Sequence, residues 1–467
     1  MFIKDLLTIN LADDIKNVID LEDISESEIQ SEIESYIVTD GLAKEYSDFA
    51  TVFTSSIKES GVWISGFYGS GKSYFGKMLG YLISNRIIAG TPARDRIIQR
   101  FTGIDDEALV KNNIRRLDSE NARVVFLDIA KQDTTKGLSY TLFRNFLKSL
   151  ELPQNEHGFF LYQLMINENA TNITDYVFNN SGINWGEVKN RLVEYTKVAK
   201  KIYIQKGNTE DDYKSMLETI RRETDQFSAA SLKEQLTSYF AIEKNEKVVF
   251  LFDEASEAIN QQKFTLLDLE GLSESLSSLG GKVWTIAIAQ EKLDDVINNS
   301  NVSKAQLTKV TDRFKTKVHL ESTEVDVIIR NRLLKKTDTG IAQLKEHYQK
   351  HSGKIADHAS LIGAGISKTD TADTYSTYYP FYKYQFDLLQ NFLFGTKGYA
   401  STKVAARGMI ITTYDLLNKE LQNKPVFETT TGWQICKQAQ PLPNVRLVSR
   451  YDNAERILKE EHSSIWS

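Results

Sequence analysis

Gly66-Phe67-Tyr68-Gly69-Ser70-Gly71-Lys72-Ser73 is the stretch on which the fold turns. It satisfies G-x-x-x-x-G-K-[ST] at every position. It follows an apolar run ending in glycine, Gly61-Val62-Trp63-Ile64-Ser65-Gly66, and opens a segment with helical spacing at Phe75, Met78, Leu79 and Leu82. Glycines allow consecutive backbone N–H groups to turn inward around a polyphosphate, and the helix behind them aims its positive end at the same charge. In such a loop Lys72 bridges the β- and γ-phosphates and the Ser73 hydroxyl ligates Mg²⁺. The rival reading is a glycine-rich turn that happens to precede a helix. The complete motif in its strand-to-helix setting favours a phosphate loop, with ATP and Mg²⁺ as its ligands.

Working outward, further apolar strands follow: Arg123-Val124-Val125-Phe126-Leu127-Asp128, Lys247-Val248-Val249-Phe250-Leu251-Phe252-Asp253, Lys282–Ala289 and the shorter Lys317-Val318-His319-Leu320. Near-continuous apolar runs are what a sheet covered on both faces requires. Strands alternating with helical stretches predict an α/β fold with a parallel, doubly wound sheet. Residues 1–60 read as short amphipathic helices, with Ile29, Ile33 and Ile37 at four-residue spacing, and 140–240 as a large helical insertion. The expected division is 1–60 N-terminal helices, 61–139 phosphate-loop half of the core, 140–240 insertion, 241–322 second half of the core, 323–425 helical lid and 426–467 C-terminal segment.

A phosphate loop needs a carboxylate on another strand for its metal, and two strands end in Asp. Asp128 is followed by Ile129 and Ala130, whereas Asp253 is followed at once by Glu254. Hydrolysis needs one carboxylate for the metal and one base aimed at the attacking water. The pair Asp253 (metal) and Glu254 (base) is therefore favoured over Asp128, which becomes a neighbour in the sheet. The strand ending at Ala289 delivers Gln290, a candidate sensor of the γ-phosphate or water. Arg313, in Thr311-Asp312-Arg313-Phe314, is a candidate for reaching a neighbouring subunit's nucleotide; its rival role is an ion pair with Asp312 or another acid. Arg407, near the start of a helix expected over about Thr402–Leu417, is a candidate γ-phosphate contact from the lid.

Composition limits the alternatives. The chain has 467 residues, 41% hydrophobic and 26% charged, with six prolines, none of them between Pro153 and Pro380. That gap permits long helices. The single cysteine, Cys436, excludes an intrachain disulfide framework and a Cys-based zinc cluster. The net charge of −6 supplies no basic field for nucleic acid. Charge is uneven, with ten acids in residues 1–35 against Lys4 and Lys16, and nine Lys or Arg in 303–336 against four acids. The N-terminus lacks a signal-peptide pattern, and no apolar run approaches the roughly 20 residues of a membrane span. A cytoplasmic protein without a membrane segment is expected.

The order of phosphate loop, long gap, acid-paired strand, polar-ended strand, Asp-Arg-Phe and helical lid resembles AAA+ ATPases of the initiator-like clade. More narrowly, Gly61–Ser73, the upstream Tyr36-Ile37-Val38-Thr39 and the downstream Ala289-Gln290-Glu291-Lys292-Leu293 resemble the BrxC/PglY family. Those proteins are the large ATPases of bacterial BREX (bacteriophage exclusion) defence systems. The resemblance covers residues 1 to about 335 well and the remainder loosely. Family members are usually longer, so the chain is expected to be an N-terminal portion or a shortened relative. The resemblance implies action on or near phage DNA, nucleotide-dependent self-association, and partners among the BREX methyltransferase, phosphatase-like and small accessory proteins.

The leading expectation is an ATP-hydrolysing switch or motor. A nucleotide-gated scaffold that binds without turnover is the second, and a phosphotransferase the third, disfavoured because an Asp-Glu pair suits water activation. The cluster Tyr375, Tyr378, Tyr379, Phe381, Tyr382, Tyr384 and Phe386 has only Lys383 interleaved, so packed core is expected rather than a base-stacking platform.

Overall fold

The computed structural model describes residues 1–11, 19–23, 25–55, 60–66, 71–298, 304–320, 325–359, 367–395, 405–432, 434–435 and 456. Its strands are β1 (Gly61–Gly66), the short β2 (Ile87–Ile88) and β3 (Thr91–Pro92), then β4 (Asn121–Asp128), β5 (Glu246–Asp253), β6 (Val283–Ala289) and β7 (Thr316–Leu320). Five of them form one sheet in the order β4-β5-β6-β1-β7 with every pairing parallel. β2 and β3 pair as a small antiparallel hairpin that the sequence reading did not anticipate. The fold is thus α/β, as expected.

The central strands β5, β6 and β1 are almost wholly buried because both faces are covered, whereas the edge strands β4 and β7 keep exposed positions such as Asn121 and Lys317. Alternate side chains point to opposite faces. Val62, Ile64, Val249, Leu251, Ile286 and Ile288 join one core, with Phe75, Met78 and Leu79 of the helix Lys72–Ser84 and Phe49 and Phe53 of the helix Asp40–Phe53. Trp63, Val125, Leu127, Val248, Phe250 and Phe252 face the other core, with Leu142 and Phe146 of the helix Gly137–Ser149 and Leu269 and Leu272 of the helix Leu266–Ser277. Burial of this kind contributes about 25 cal/mol per Å² of apolar surface removed from water. The helix behind the phosphate loop lies close on the sheet. A Cβ on its Gly76 would stand 2.2 Å from Ile288 Cδ1.

Between β4 and β5 the chain forms seven helices: Gly137–Ser149, Glu156–Asn167, Ile173–Ser181, Trp185–Val188, Leu192–Gln205, Glu210–Asp225 and Ala229–Ile242. Side-chain caps mark several starts, including Asn155, Asn172 and Thr209 accepting from the first-turn amides. Their aromatic residues interlock, as in Phe143 against Phe159 at 4.8 Å and against Phe227 at 5.0 Å.

The chain divides into two compact units, Asp20–Gly66 with Lys72–Leu320, and Met1–Ile19 with Phe67–Gly71 and Glu321–Ser467. The N-terminal stretch read as one helical segment is shared between them. In the sheet unit the helix Glu26–Ser35 buries Ile29 and Ile33 but stops before Ile37, which lies in an extended stretch. Thr39 ends that stretch by capping the helix Asp40–Phe53, its hydroxyl accepting from Leu42 N. The second unit is helical, with Val325–Arg332, Asp338–His358, Ala372–Tyr378, Lys383–Gly395 and Ala405–Asp415, the last running on into a π-helical turn, Leu416–Leu421. Tyr375, Tyr378, Tyr379, Phe381, Tyr382 and Phe386 are buried in its core. Tyr384, only partly buried, packs against them. This aromatic cluster is packing, as its composition suggested.

Candidate functional site

β1 brings the chain to Gly66, and the helix Lys72–Ser84 resumes it six residues later. Phe67, Tyr68, Gly69 and Ser70 lie outside the described residues. Gly71 has φ +82, a left-handed conformation that glycine adopts without a steric penalty. Lys72 is buried at 8% exposure in the first turn, where its ammonium acts electrostatically on Asp253.

β6 is inserted between β1 and the acidic strand β5. Parallel strands all point their carboxyl ends to one edge, so Gly66, Gln290 and Asp253 emerge there together. Asp253 is 7% exposed and accepts hydrogen bonds from the Ser73 hydroxyl and, at 2.8 Å, from Glu254 N. Burial raises its pKa from 3.8 to about 6, and the neighbouring Glu254 adds to the rise. The Ser73 hydroxyl, the Glu254 amide and the Lys72 ammonium oppose this without cancelling it.

Glu254 has φ 58 and ψ 35, a left-handed conformation unusual for a residue with a Cβ. It turns the chain from β5 into the short helix Ala255–Asn260. Backbone strain of this kind persists where its surroundings over-determine it. Here Gln290 Nε2 donates to Glu254 Oε2 at 3.0 Å, and Gln290 N donates to Ser256 Oγ at 3.1 Å. Ser256 was missed by the sequence reading. Its only signal there is a small polar residue two positions after the acid pair.

Asp128, the rival acid, is the register partner of Asp253 on the neighbouring strand and faces the same side of the sheet. Its Oδ2 pairs with Lys131 at 2.8 Å, and its N–H donates to Glu22 Oε1 at 3.1 Å. The Ser73 hydroxyl bonds Asp253. Lys72, Ser73, Asp253, Glu254 and Gln290 are thus brought together.

Arg313 is elsewhere. It ends the helix Lys304–Arg313, and a Cβ on Gly61, the first residue of β1, would meet Arg313 O at 2.4 Å. Gly61 and Gly66 are separated by about 16 Å of strand at roughly 3.3 Å per residue. Arg313 therefore lies at the sheet edge opposite Gly66, Asp253 and Gln290. Its guanidinium pairs with Glu274 at 3.3 Å, the ion-pair role with an acid other than Asp312. Arg407 lies in the helix Ala405–Asp415 of the helical unit, and its side chain is outside the described residues.

The oxygen donors suit a hard cation. Magnesium takes few protein ligands and fills its octahedron with water and substrate phosphate, and the Ser73 hydroxyl with the Asp253 carboxylate form such a sparse set. Among the described residues no group of three or more His, Cys, Asp or Glu side chains is placed to hold a metal, so no closed protein cage competes with this arrangement. The raised proton affinity of Asp253 marks a buried negative charge that its neighbours only partly compensate, which a cation would relieve. Among the described residues no helix is long and apolar enough to cross a membrane. No known protein-family model matches the chain.

Proposed function

We propose that this protein binds and hydrolyses ATP as an AAA+-type switch or motor. The observation that carries the reading is the contact of Ser73 with Asp253, beside Lys72 and with the Glu254–Gln290 pair adjoining it. A strand inserted between the phosphate-loop strand and the acidic strand, with a polar residue at its end, further supports it.

In this reading Lys72 would neutralise the β- and γ-phosphates, and Ser73 and Asp253 would hold magnesium, which would supply further positive charge against the phosphates. Glu254 orients water and accepts its proton as the water oxygen attacks the γ-phosphorus. The bond to the β–γ bridging oxygen breaks and ADP leaves with that oxygen. Gln290 positions Glu254 and hydrogen-bonds the γ-phosphate or the water. Arg313, at the sheet edge opposite Gly66 and Asp253, acts on the nucleotide of a neighbouring subunit, so self-association belongs to the reading.

Removing the base tests it. Glu254→Gln keeps the shape and the Gln290 contact but cannot accept a proton. Phosphate release should fall by roughly 10²–10⁴-fold while ATP binding persists. Turnover at the parent rate would remove Glu254 from the role. One observation favours a scaffold that binds without turnover: the Gln290 amide already occupies one oxygen of the base. Absence of phosphate release with intact ATP binding, with and without DNA and protein partners, would establish that alternative.

The place of this activity in BREX phage defence, on or near DNA and with the methyltransferase, phosphatase-like and accessory proteins, rests on the wording of Gly61–Ser73, Tyr36–Thr39 and Ala289–Leu293. Co-purification of the tagged chain with those proteins tests it.

A further inference from the structure

The turn that leaves β4, Ile129–Asp133, is held from two sides. On the acidic-strand side, Ile129 N donates to Asp253 O at 3.2 Å. Lys263, just past the short helix Ala255–Asn260, donates to Gln132 O at 3.0 Å and to Ala130 O. On the insertion side, Thr141 Oγ1 and Arg144 Nη2 donate to Asp133 O at 3.1 and 3.0 Å. Asn145 Nδ2 donates to Gln132 Oε1 at 3.2 Å and to Thr141 O at 2.9 Å. Gln132 Nε2 in turn donates to Glu22 Oε1 at 2.7 Å, the oxygen that also takes the Asp128 amide.

Asn145 is 2% exposed, and Gln154 on the next loop donates to its Oδ1 at 3.2 Å. A buried amide with each polar atom engaged has one orientation, since any other leaves buried groups unpaired. It projects from the helix Gly137–Ser149, whose Phe143 and Phe146 stack into the aromatic core of the insertion. Displacement of that helix therefore moves Gln132, and with it the turn bonded to Asp253.

We infer that the turn Ile129–Asp133 couples the helical insertion to the acid pair, with Asn145 and Gln132 as positioning residues that let whatever engages the insertion set the rate of ATP turnover. The inference rests on the reading of Asp253 and Glu254 as the hydrolytic pair. Its geometry can be tested without that reading.

Asn145→Leu keeps the branched outline, though it is bulkier, and removes the side-chain bonds. Gln132→Leu, at a half-buried turn position, breaks the same link where folding is less at stake. Native-state hydrogen exchange of the nucleotide-free full chain should show both variants exchanging the Ile129 and Glu254 amides roughly tenfold faster. The β5 amides from Val248 to Phe252 should keep their rates. In parallel, kcat for ATP should fall about tenfold with KM unchanged, because misplacement of the pair leaves nucleotide binding intact. The double variant should be no slower than the worse single one, as expected for residues acting in series. Acceleration confined to Gly137–Ser149, or a lower melting temperature with kcat unchanged, would overturn the coupling and leave these residues a structural role. A wild-type protein without turnover would instead count against the ATPase reading, and the exchange rates would still decide the coupling.

Discussion

At Asp253 the cost of the site falls on one residue. Its pKa is raised to about 6, so in the nucleotide-free protein the folded state binds this proton more tightly than the unfolded chain does. Stability from this group is therefore full below pH about 4 and lost as pH rises through about 6. The full span is on the order of 2–3 kcal/mol. Asp253→Asn should consequently melt a few degrees higher than wild type at pH 7.5 without nucleotide, and the advantage should shrink at pH 5. The two proteins should separate again with ligand. ATP with Mg²⁺ should raise the melting temperature of wild type and leave the variant unmoved, because only the carboxylate serves the cation. An Asn variant less stable than wild type at pH 7.5 would mean that Asp253 is not under-compensated. From sequence, the adjacency of Asp253 and Glu254 was legible. The left-handed backbone of Glu254 was not, since nothing in Asp-Glu-Ala-Ser requires a positive φ.

Among the elements, the helix behind the phosphate loop is the most constrained. One side lies on the sheet at Gly76, and another holds Lys77, fully buried and paired with Glu32 at 2.7 Å on the helix Glu26–Ser35. Lys77 also donates to Asp20 O at 2.6 Å, and Tyr74 one turn earlier shares a hydrogen bond with Ser35 at 2.8 Å. The N-terminal helix is thereby clamped to the element that carries Lys72 and Ser73. Lys77→Met should destabilise the sheet unit by about 3–5 kcal/mol in urea unfolding, because it removes the buried cation that faces the Glu32 carboxylate. Adding Glu32→Leu should recover much of the loss, and an equal or greater loss in the double variant would contradict this account. The helix itself was plain from its apolar spacing. Its partner was not, because nothing local marks Lys77 and Glu32 as a pair until tertiary structure closes the 45 residues of chain between them.

For the molecule as a whole, Arg313 is the residue whose meaning depends on assembly. It sits about one strand length from Gly66 on its own sheet, and its pairing with Glu274 is partly exposed, with 29% and 56% of the two side chains accessible. An ion pair of that exposure is worth about 0–1 kcal/mol, so exchanging Glu274 for a phosphate on another subunit costs little. Solution mass measured with ATP and Mg²⁺ should show an oligomer for wild type that Arg313→Ala loses. Melting temperature should change little. An oligomer that survives the substitution would leave Arg313 only its pairing with Glu274.

The sequence by itself determined the apolar strands and the helical character of the insertion, and marked Gly66–Ser73 as a phosphate-loop motif. These follow from local rules: glycines where backbone must face phosphate, unbroken apolar runs where both sheet faces are covered, and 3.6-residue spacing where one helix face is buried. Only tertiary structure decided which strands are neighbours. That order brings Ser73 to Asp253 and Gln290 to Glu254, puts Arg313 at the far edge, and joins the insertion to the acid pair through Asn145 and Gln132. These contacts link residues from 13 to more than a hundred positions apart. Such pairings are set by the packing of whole layers, which no local pattern of residues encodes.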